Sequence, residues 1–558
     1  MLKSITLKFG PSGNSSNLFF NCQNINVFVG PNNSGKSLIL QEIEQVSKNV
    51  QTNTFINIIH NISFKEISID KFGFLKKNYV KELDPIQFNG NIRWEGRTGG
   101  VHLIPFATVE EALLNPNTLR SSFKELYAVH NILKIDGLRR MEMVNSQPST
   151  GFGGKEVPRE TLDILFRDDK KRIETRNILF RAFNKYFIID PTFLGQLSIR
   201  FSDREPTTIN EEIGIDKLAF SFQEKAKPIA NYSDGVKAYT GIISTVISKD
   251  EELILIDEPE AFLHPKLSFQ LGKELGRLSS LYDKQFMVSS HSSDFLMGCI
   301  QSGVPINVIR LTYHKDIPTA RVLDFQKLVK LLRNPLLRSA NILKGIFFDF
   351  VVVTESDTDR AFYQEINERL LTAGDKRGIP DCLFVNAQNK QTVNDIIRPL
   401  RELGIPAATI VDIDIIKDGG KVWSKFLSSA FIPEITISSL ATSRSNIKTK
   451  FDQNPTINMK IHGGIQALDS SDREACNNLF DQIQEYGLFV VRNGELESWL
   501  KQIKISGHGT TWLIEMFGAL GEDPMDSNYI KPAKGDVWDF IGSIKCWFDN
   551  PVKKGIPD

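Results

Sequence analysis

The segment GPNNSGKS, residues 30–37, decides the fold of the first part of the chain. It satisfies the pattern G-x-x-x-x-G-K-[ST] and lies between the strand-like NINVFV and the helix-like SLILQEIEQVSKNV. In that context backbone N–H groups cradle phosphates, Lys36 neutralises charge, and the Ser37 hydroxyl can ligate Mg²⁺. A chance Gly/Asn-rich turn would lack these flanks. The sequence therefore predicts a nucleotide site built from Gly30, Asn32, Asn33, Ser34, Gly35, Lys36 and Ser37.

A second segment, LILIDEPE at residues 253–260, has the form of a buried strand that ends in two acids. Alone, this pattern would be a weak signal. Paired with the glycine-rich loop, it predicts that Asp257 holds Mg²⁺ through water and that Glu258 polarises the attacking water as a general base. The pair indicates an α/β domain that binds and hydrolyses a nucleotide.

Two shorter segments complete the pattern. The strand FMVSSH ends at His291, from which a side chain could contact the γ-phosphate, although a lone histidine is more often structural. Tyr232 is followed by Ser233, Asp234 and Gly235 at the start of a predicted helix, where Ser and Gly suit phosphate capping. As an isolated signal, Ser233 would be an ordinary N-cap.

These four segments, in this order, resemble the ABC-type ATPase head of the overcoming-lysogenization-defect (OLD) family of nucleases. The resemblance implies that two heads face each other, with Ser233 and Gly235 of one completing the ATP site of its partner. The chain departs from the usual pattern in reading SDG rather than SGG, and PEAFLHPKL lacks the usual aspartate. His264 with Pro265 is similar to the OLD branch rather than to a transporter. Gln87 and Gln147 are alternative candidates for the glutamine that links the site to the rest of the head.

A second αβ series begins near residue 340, so we predict an ATPase domain at 1–340 and a second domain at 341–558. The segment VVVTESDTD places Glu355 and Asp359 at the end of a strand, and IVDID places Asp412 and Asp414 at the end of another. Clustered carboxylates repel unless a cation offsets them, and oxygen-only clusters suit Mg²⁺ or Mn²⁺ rather than Zn²⁺. Alternatively, Asp359 caps the next helix and the other two aspartates face water. Asp357 is expected to be a solvent-facing turn residue.

The acidic pattern resembles a TOPRIM domain, with Ser356 where the family has glycine. The OLD resemblance implies a further glutamate, Glu497 in NGELE, and a late phosphate-stabilising lysine, Lys534 in KPAKGDVWDFI, with Lys531 as its rival. It also implies two-metal phosphodiester hydrolysis, in which one metal activates water and the other stabilises the leaving oxygen. The implied metal ligands of the nuclease are Glu355, Asp359, Asp412, Asp414 and Glu497.

The fold class expected from both resemblances is α/β: an ABC-type head with an inserted helical dimerisation region at about residues 90–225, followed by a TOPRIM-like domain. The 558 residues exceed one hydrophobic core, and 67 basic against 67 acidic side chains give no global argument for nucleic acid. Five dispersed cysteines and the lack of a long apolar segment predict a cytoplasmic protein that does not use a membrane.

The function implied is that of an OLD-like, ATP-binding, metal-dependent DNA endonuclease that acts as a homodimer or higher homo-oligomer. Family members often act in anti-phage defence, including Gabija-type and retron-associated systems, which implies a helicase or a reverse transcriptase with its non-coding RNA as partner. An alternative is an SMC-like repair or structural ATPase whose second domain binds nucleic acid without cutting it, but no long coiled coil is present. A TOPRIM primase or topoisomerase would need a zinc-binding or tyrosine-bearing segment, and none is recognisable.

Overall fold

A computed structural model describes most of the chain as two compact units. The described residues are 1–12, 16–49, 55–81, 91–95, 101–137, 139–150, 158–193, 195–333, 342–453 and 458–557. The first unit comprises residues 1–29, 33–313 and 318–322, and the second comprises residues 30–32, 314–317 and 323–558.

The first unit is a mixed α/β structure. Its strands are β1 (Leu2–Leu7), β2 (Phe19–Asn21), β3 (Ile25–Val29), β4 (Ile59–Phe64), β5 (Val80–Lys81), β6 (Asn91–Glu95), β7 (Val101–Pro105), β8 (Ile132–Ile135), β9 (Gln147–Pro148), β10 (Tyr186–Asp190), β11 (Gln196–Ser202), β12 (Lys227–Pro228), β13 (Leu253–Asp257), β14 (Gln285–Ser289), β15 (Ile306–His314) and β16 (Ile317–Leu323). Its helices are α1 (Lys36–Lys48), α2 (Ile69–Tyr79), α3 (Phe106–Leu114), α4 (Arg120–Leu126), α5 (Arg139–Glu142), α6 (Thr161–Arg167), α7 (Asp169–Phe183), α8 (Ile209–Ile213), α9 (Lys217–Lys225), α10 (Asp234–Ser248), α11 (Pro265–Leu281) and α12 (Ser293–Gln301), with short 3₁₀ turns at Ala128–His130 and Ile229–Asn231.

The central sheet of this unit has six strands in the order β16-β15-β3-β14-β13-β8. Strand β3 pairs in parallel with β14 and β15, and β13 pairs in parallel with β14 and β8. The sequences INVFV and QFMVS are buried throughout, as a parallel sheet covered on both faces requires. The carboxyl ends of β3, β13 and β14 therefore meet at one edge, where the predicted nucleotide residues begin.

The region predicted as an insertion, about residues 90–225, contains strands as well as the helices α3–α9. Strand β8 joins the central sheet beside β13, whereas β10, β11 and β12 form an antiparallel sheet in which β9 also pairs with β11. Strands β6 and β7 also lie in this region and pair with each other, while β1, β2 and β4, which precede it, form a sheet of the order β2-β1-β4. The predicted insertion is therefore mixed in secondary structure.

The second unit is built on a four-stranded parallel sheet with the order β18-β17-β19-β20. Its elements are α13 (Phe325–Arg333), β17 (Phe350–Thr354), α14 (Asp357–Thr372), β18 (Cys382–Asn386), α15 (Val393–Glu402), β19 (Ala407–Asp412), α16 (Gly420–Ser429), α17 (Glu434–Asp452), α18 (Ser470–Gln484), β20 (Leu488–Val491), α19 (Thr510–Leu520) and α20 (Asp536–Asp549), with 3₁₀ turns at Ile342–Phe347, Ile413–Lys417, Gly464–Ala467 and Leu496–Ser498. The neighbouring strands β17, β19 and β20 all run the same way. Their carboxyl ends, which carry the predicted nuclease acids, therefore lie at one edge of the sheet.

No helix of the described residues is both long enough and apolar enough to cross a bilayer.

Candidate nucleotide and nuclease sites

The glycine-rich loop has a backbone that ordinary residues rarely adopt. Gly30, Asn33 and Gly35 have φ angles of 142°, 61° and 90°, and asparagine is among the few side chains that tolerate the left-handed region. Gly35 directly precedes α1, whose first residue, Lys36, is buried and donates from Nζ to Ser34 Oγ at 3.3 Å. The loop therefore ends at a helix N-terminus, as the motif requires.

The strand-end acid of β13 meets the loop serine in the first unit. Ser37 Oγ donates to Asp257 Oδ1 at 2.9 Å, and Ser289 Oγ donates to the same oxygen. Register explains the second contact, because Asp257 lies opposite Ser289 in the parallel pairing of β13 with β14. The two residues expected to share Mg²⁺ are thus brought together in one hydrogen-bonded group.

A buried arginine that the sequence reasoning missed supports this strand end. Arg140 donates to the backbone carbonyl of Glu258 at 2.6 Å and to that of Asp257. Its side chain is almost fully buried, and burial lowers its pKa although the surrounding acids oppose that change. No local signal marks Arg140, because it lies in the inserted region, far from its partners in sequence.

Glu258, the predicted general base, lies beside His291, the predicted γ-phosphate contact. Glu258 has a φ of 48° and a half-exposed side chain, and its Oε1 lies 3.4 Å from His291 Nε2. Glu260, which the sequence reasoning did not consider, accepts from the His291 backbone N–H at 2.6 Å and from Ser290 Oγ at 3.0 Å. Burial raises the pKa of Glu260. The backbone at His291 is therefore fixed by a carboxylate two residues after the general base.

The segment Ser233–Gly235 packs against the segment that follows Glu258. Ser233 is the N-cap residue of α10, is exposed, and makes no side-chain capping bond to that helix. A Cβ on Gly235 would lie 2.7 Å from the carbonyl oxygen of Phe262, so glycine permits a close backbone approach there. Gln147 is used structurally, since its Oε1 accepts from Leu162 N at 2.8 Å. Gln87 lies outside the described residues.

Three acids of the second unit converge at the carboxyl ends of β17 and β19. Glu355, Asp412 and Asp414 each offer a carboxylate oxygen within 4.8 Å of the others. Glu355 Oε1 also accepts from the backbone N–H of Asp412 at 2.9 Å. The parallel pairing of β17 with β19 produces this meeting, because it places both strand ends side by side.

Asp359 both caps its helix and faces the acidic cluster. Ser356 Oγ accepts from Asp359 N at 3.2 Å, and Asp359 Oδ2 accepts from Ser356 N at 3.0 Å, which is a reciprocal capping box. Burial raises the pKa of Asp359, and the charge of Glu497 adds to that rise. Asp357, by contrast, is exposed and pairs with Arg360 at 2.7 Å.

The electrostatics of the cluster oppose its full ionisation. Burial, reinforced by Asp412, raises the pKa of Glu355 to about 8. Burial also raises the pKa of Asp412 to about 7, against the opposing charge of Lys460. Among the described residues, Asp414 Oδ1 has no hydrogen-bond partner although it is shielded from water. Such an oxygen is expected where a cation binds, since buried carboxylate oxygens are normally paired.

A second group lies beyond β20. Glu497 Oε1 accepts from Gly509 N at 2.7 Å and lies 3.6 Å from His508 Nδ1. His508 Nε2 lies 3.7 Å from Glu495 Oε2, and one ligand atom from each of these three residues falls within a 4.8 Å group. The sequence predicted Glu497 for this edge but did not single out Glu495 or His508.

The lysines found among the acids are not those expected from the sequence. Lys460 Nζ lies 2.7 Å from Asp412 Oδ2, and Lys390 Nζ lies 3.2 Å from Asp414 Oδ2. Lys531 and Lys534 are exposed and form no hydrogen bond or ion pair with any residue that the structure describes. Lys460 lies in a loop without a motif, so no local signal could have identified it.

The residues of this edge fit a hard divalent cation. The donors of the Glu355 group are all carboxylate oxygens, the set that Mg²⁺ and Mn²⁺ prefer. The raised pKa values of Glu355 and Asp412 show that Lys460 and Lys390 neutralise the group only in part, and Asp414 Oδ1 is free to ligate a cation.

Comparisons with known proteins agree with this arrangement. Residues 158–298 match the family described as "AAA domain, putative AbiEii toxin, Type IV TA system", and residues 346–414 match "Overcoming lysogenization defect protein-like, TOPRIM domain". The first match contains Ser233, Asp257 and His291, and the second contains Glu355 and the Asp412–Asp414 pair. No match was found among curated proteins.

A search of solved structures returned similarity to SMC head domains over part of this chain. An SMC head bound to the C-winged-helix domain of ScpA is 18% identical, covers 59% of this chain and 99% of its own, and has a TM-score of 0.32. The SMC head domain from Thermotoga maritima is 14% identical, covers 58% of this chain and 99% of its own, and has a TM-score of 0.29. These scores are too low to carry an argument. The two family matches show that the chain combines an AAA-type ATPase domain with an OLD-like TOPRIM domain. This is the architecture of an OLD-family ATPase–TOPRIM nuclease, as the sequence predicted.

Proposed function

We propose that the chain is an ATP-binding, Mg²⁺- or Mn²⁺-dependent endonuclease that cuts DNA. The observation that carries this proposal is the convergence of Glu355, Asp412 and Asp414 within 4.8 Å, with Asp414 Oδ1 left without a partner among the described residues. That oxygen supports the proposal because it is free to ligate a cation beside the other two carboxylates.

The acids at this edge of the sheet would hold the divalent cations of the nuclease site. Glu355, Asp412 and Asp414 would hold one cation, and Asp359 with Glu497 would hold a second. Bound divalent cations would supply a water of lowered pKa and would stabilise charge on the leaving oxygen. The capping box fixes the backbone of Asp359, and the Gly509 N–H fixes one oxygen of Glu497. Lys534, or its rival Lys531, would contact the scissile phosphate.

In the ATPase half, the predicted residues would bind and hydrolyse ATP. Lys36 and the backbone of residues 30–37 would bind phosphates, while Ser37 and Asp257 share a hydrogen bond at the position expected for Mg²⁺. Glu258 would accept the proton of the attacking water, and His291 lies close enough to respond to the charge of Glu258. The exposed Ser233, which does not cap its own helix, would contact the nucleotide of a second copy in a homodimer or larger homo-oligomer.

The wider expectations from the family resemblance remain predictions. They are a role in bacterial anti-phage defence, a partner such as a helicase or a reverse transcriptase with its RNA, and a cytoplasmic location. The genes next to this one would test the first two, since an adjacent helicase or reverse transcriptase gene would indicate the type of system.

Plasmid cleavage tests the proposed activity directly. The purified chain should nick or linearise plasmid DNA with Mg²⁺ or Mn²⁺ under at least one nucleotide condition, and Glu355→Ala should abolish cutting. Asp357→Ala is the matched control, because this acid lies in the same turn but is exposed, and it should cut normally. Lys36→Ala should lose ATP binding. If the wild type never cuts DNA with any nucleotide, the binding-only alternative is favoured, and if Glu355→Ala cuts normally, the metal site is elsewhere.

A further inference from the structure

Lys460 is the one cation of the described chain that contacts both acidic groups of the nuclease edge. Its Nζ lies 2.7 Å from Asp412 Oδ2 and 3.8 Å from Asp414 Oδ2, in the first group. It also lies 3.5 Å from Glu495 Oε2, in the second group. A single ammonium therefore bridges carboxylates that come from the ends of two different strands, β19 and β20.

The backbone around Lys460 is shaped to bring it there. Gly494 has a φ of 131°, and a Cβ at that position would collide with the carbonyl oxygen of Lys460. Gly464 has a φ of 60°, and a Cβ there would collide with the carbonyl oxygen of Arg492. Both glycines thus permit the Lys460 loop to lie directly on the chain that leaves β20, which no other residue type would allow without strain.

Hydrogen bonds within the loop hold this position. Met459 is buried, His462 N donates to Asn458 O at 2.9 Å, and Ile465 N donates to Arg492 O at 3.0 Å. The loop is therefore anchored on both sides of Lys460. Its ammonium reaches the acids from a fixed base rather than from a freely moving surface segment.

The position of the ammonium shows its electrostatic role. Its contacts of 2.7 Å with Asp412 Oδ2 and 3.5 Å with Glu495 Oε2 place one positive charge between acids that would otherwise repel one another. Lys390 Nζ lies 3.2 Å from Asp414 Oδ2 and 3.1 Å from Asp418 Oδ2, and within the described part of the chain it pairs with neither Asp412 nor Glu495. Lys460 is therefore the cation that joins the two acidic groups.

We propose that Lys460 is a positioning residue that acts as a tethered counter-ion: it holds Asp412, Asp414 and Glu495 together and competes with divalent cations for their oxygens. This inference rests on the proposed function. A divalent cation bound to the same carboxylates would repel the ammonium and displace it from them. Metal binding is therefore weakened by the loss of the contacts between the ammonium and these carboxylates. The lysine would thereby keep the acids in place at low metal concentration and weaken metal binding.

Manganese affinity tests this role without relying on cleavage. Mn²⁺ alone is titrated into the nucleotide-free full chain by calorimetry, for the wild type and for Lys460→Met, Lys460→Gln and Lys460→Arg. Both neutral variants should bind Mn²⁺ about tenfold more tightly than the wild type, since a competing charge is gone, whereas the arginine variant should stay within about threefold. The Gln variant provides the answer if the Met variant does not fold.

Two controls separate the inference from the proposed function. Lys448→Met removes a lysine that pairs only with Asp452 on the surface of α17, and its Mn²⁺ affinity should equal that of the wild type. Asp412→Asn should weaken Mn²⁺ binding, which shows that the titration reports this site. If the neutral variants bind Mn²⁺ as the wild type does, or more weakly, Lys460 is not a competitor and the inference is wrong. If the wild type neither binds Mn²⁺ nor cuts DNA, it is the proposed function that fails.

Discussion

The buried acid Glu355 should make the metal-free second unit less stable as the pH rises. Its pKa is raised from the ordinary 4.5 to about 8, first by burial and then by Asp412. A carboxyl group whose pKa is higher in the folded state stabilises that state fully below pH 4.5, because the folded state binds the proton more tightly. This stabilisation is lost as the pH rises toward about 8. Between those limits, the loss accumulated by pH 7 amounts to about 3 kcal/mol in the free energy of unfolding.

Glu355→Gln should remove this loss. Glutamine keeps an oxygen that can accept from the Asp412 N–H but cannot ionise. In EDTA the variant should match the wild type near pH 5 within about 1 kcal/mol and exceed it by about 3 kcal/mol at pH 7. Urea unfolding followed by tryptophan fluorescence is suited to this measurement, because five of the six tryptophans are buried in the second unit, namely Trp423, Trp499, Trp512, Trp538 and Trp547.

The matched control is Asp357→Asn, in the same turn. Asp357 is exposed, and its hydrogen bond with Arg360 lowers its pKa, so its effect on stability should be small and should not grow between pH 5 and 8. Parallel pH dependences for the wild type and Glu355→Gln would refute the reasoning, since they would mean that Glu355 ionises in the folded protein at no cost.

Three further outcomes are expected. Arg140→Met should lower the stability of the first unit by about 2–4 kcal/mol in urea unfolding, because buried carbonyls lose their donor, whereas the exposed neighbour Arg139→Met should have little effect. Glu258→Gln should retain ATP binding in a filter assay but release phosphate about 100-fold more slowly, and an unchanged rate would exclude it as the general base. Ser356→Ala should cost about 1 kcal/mol in unfolding and weaken Mn²⁺ binding, because the capping box that aims Asp359 is lost; unaltered Mn²⁺ affinity would contradict that role.

The sequence predicted the residues whose position follows from a strand end. Asp257 and Asp412 each close an apolar run, and the carboxyl ends of parallel strands meet at one edge, so these acids had to lie near their partners. The glycine-rich loop was recognisable because its φ angles demand glycine or asparagine. The assignments that depend on nucleotide or DNA contacts, such as Ser233 and Lys534, stay predictions.

The charges that support the sites could not be read from the sequence. Arg140 contacts carbonyls more than one hundred residues away, and Lys460 reaches Asp412 from a loop between two helices. Such contacts depend on how distant segments pack, and neither a lysine in a loop nor an arginine in a one-turn helix has a distinctive sequence pattern. Ser356 stands where the TOPRIM resemblance predicts glycine, and in the structure it is the N-cap residue of α14.

The same carboxylates that destabilise the metal-free protein would account for its response to cations. Burying Glu355 beside Asp412 costs about 3 kcal/mol at neutral pH, worked from the raised pKa of Glu355, of which burial is the larger cause. A cation that binds only the folded state at 100 times its dissociation constant returns about 2.7 kcal/mol. The two values are similar, so a cation at that degree of saturation would offset the cost of the buried acid. A fold that placed these acids apart would be more stable without metal, but it would lack the paired oxygens from which the proposed chemistry follows.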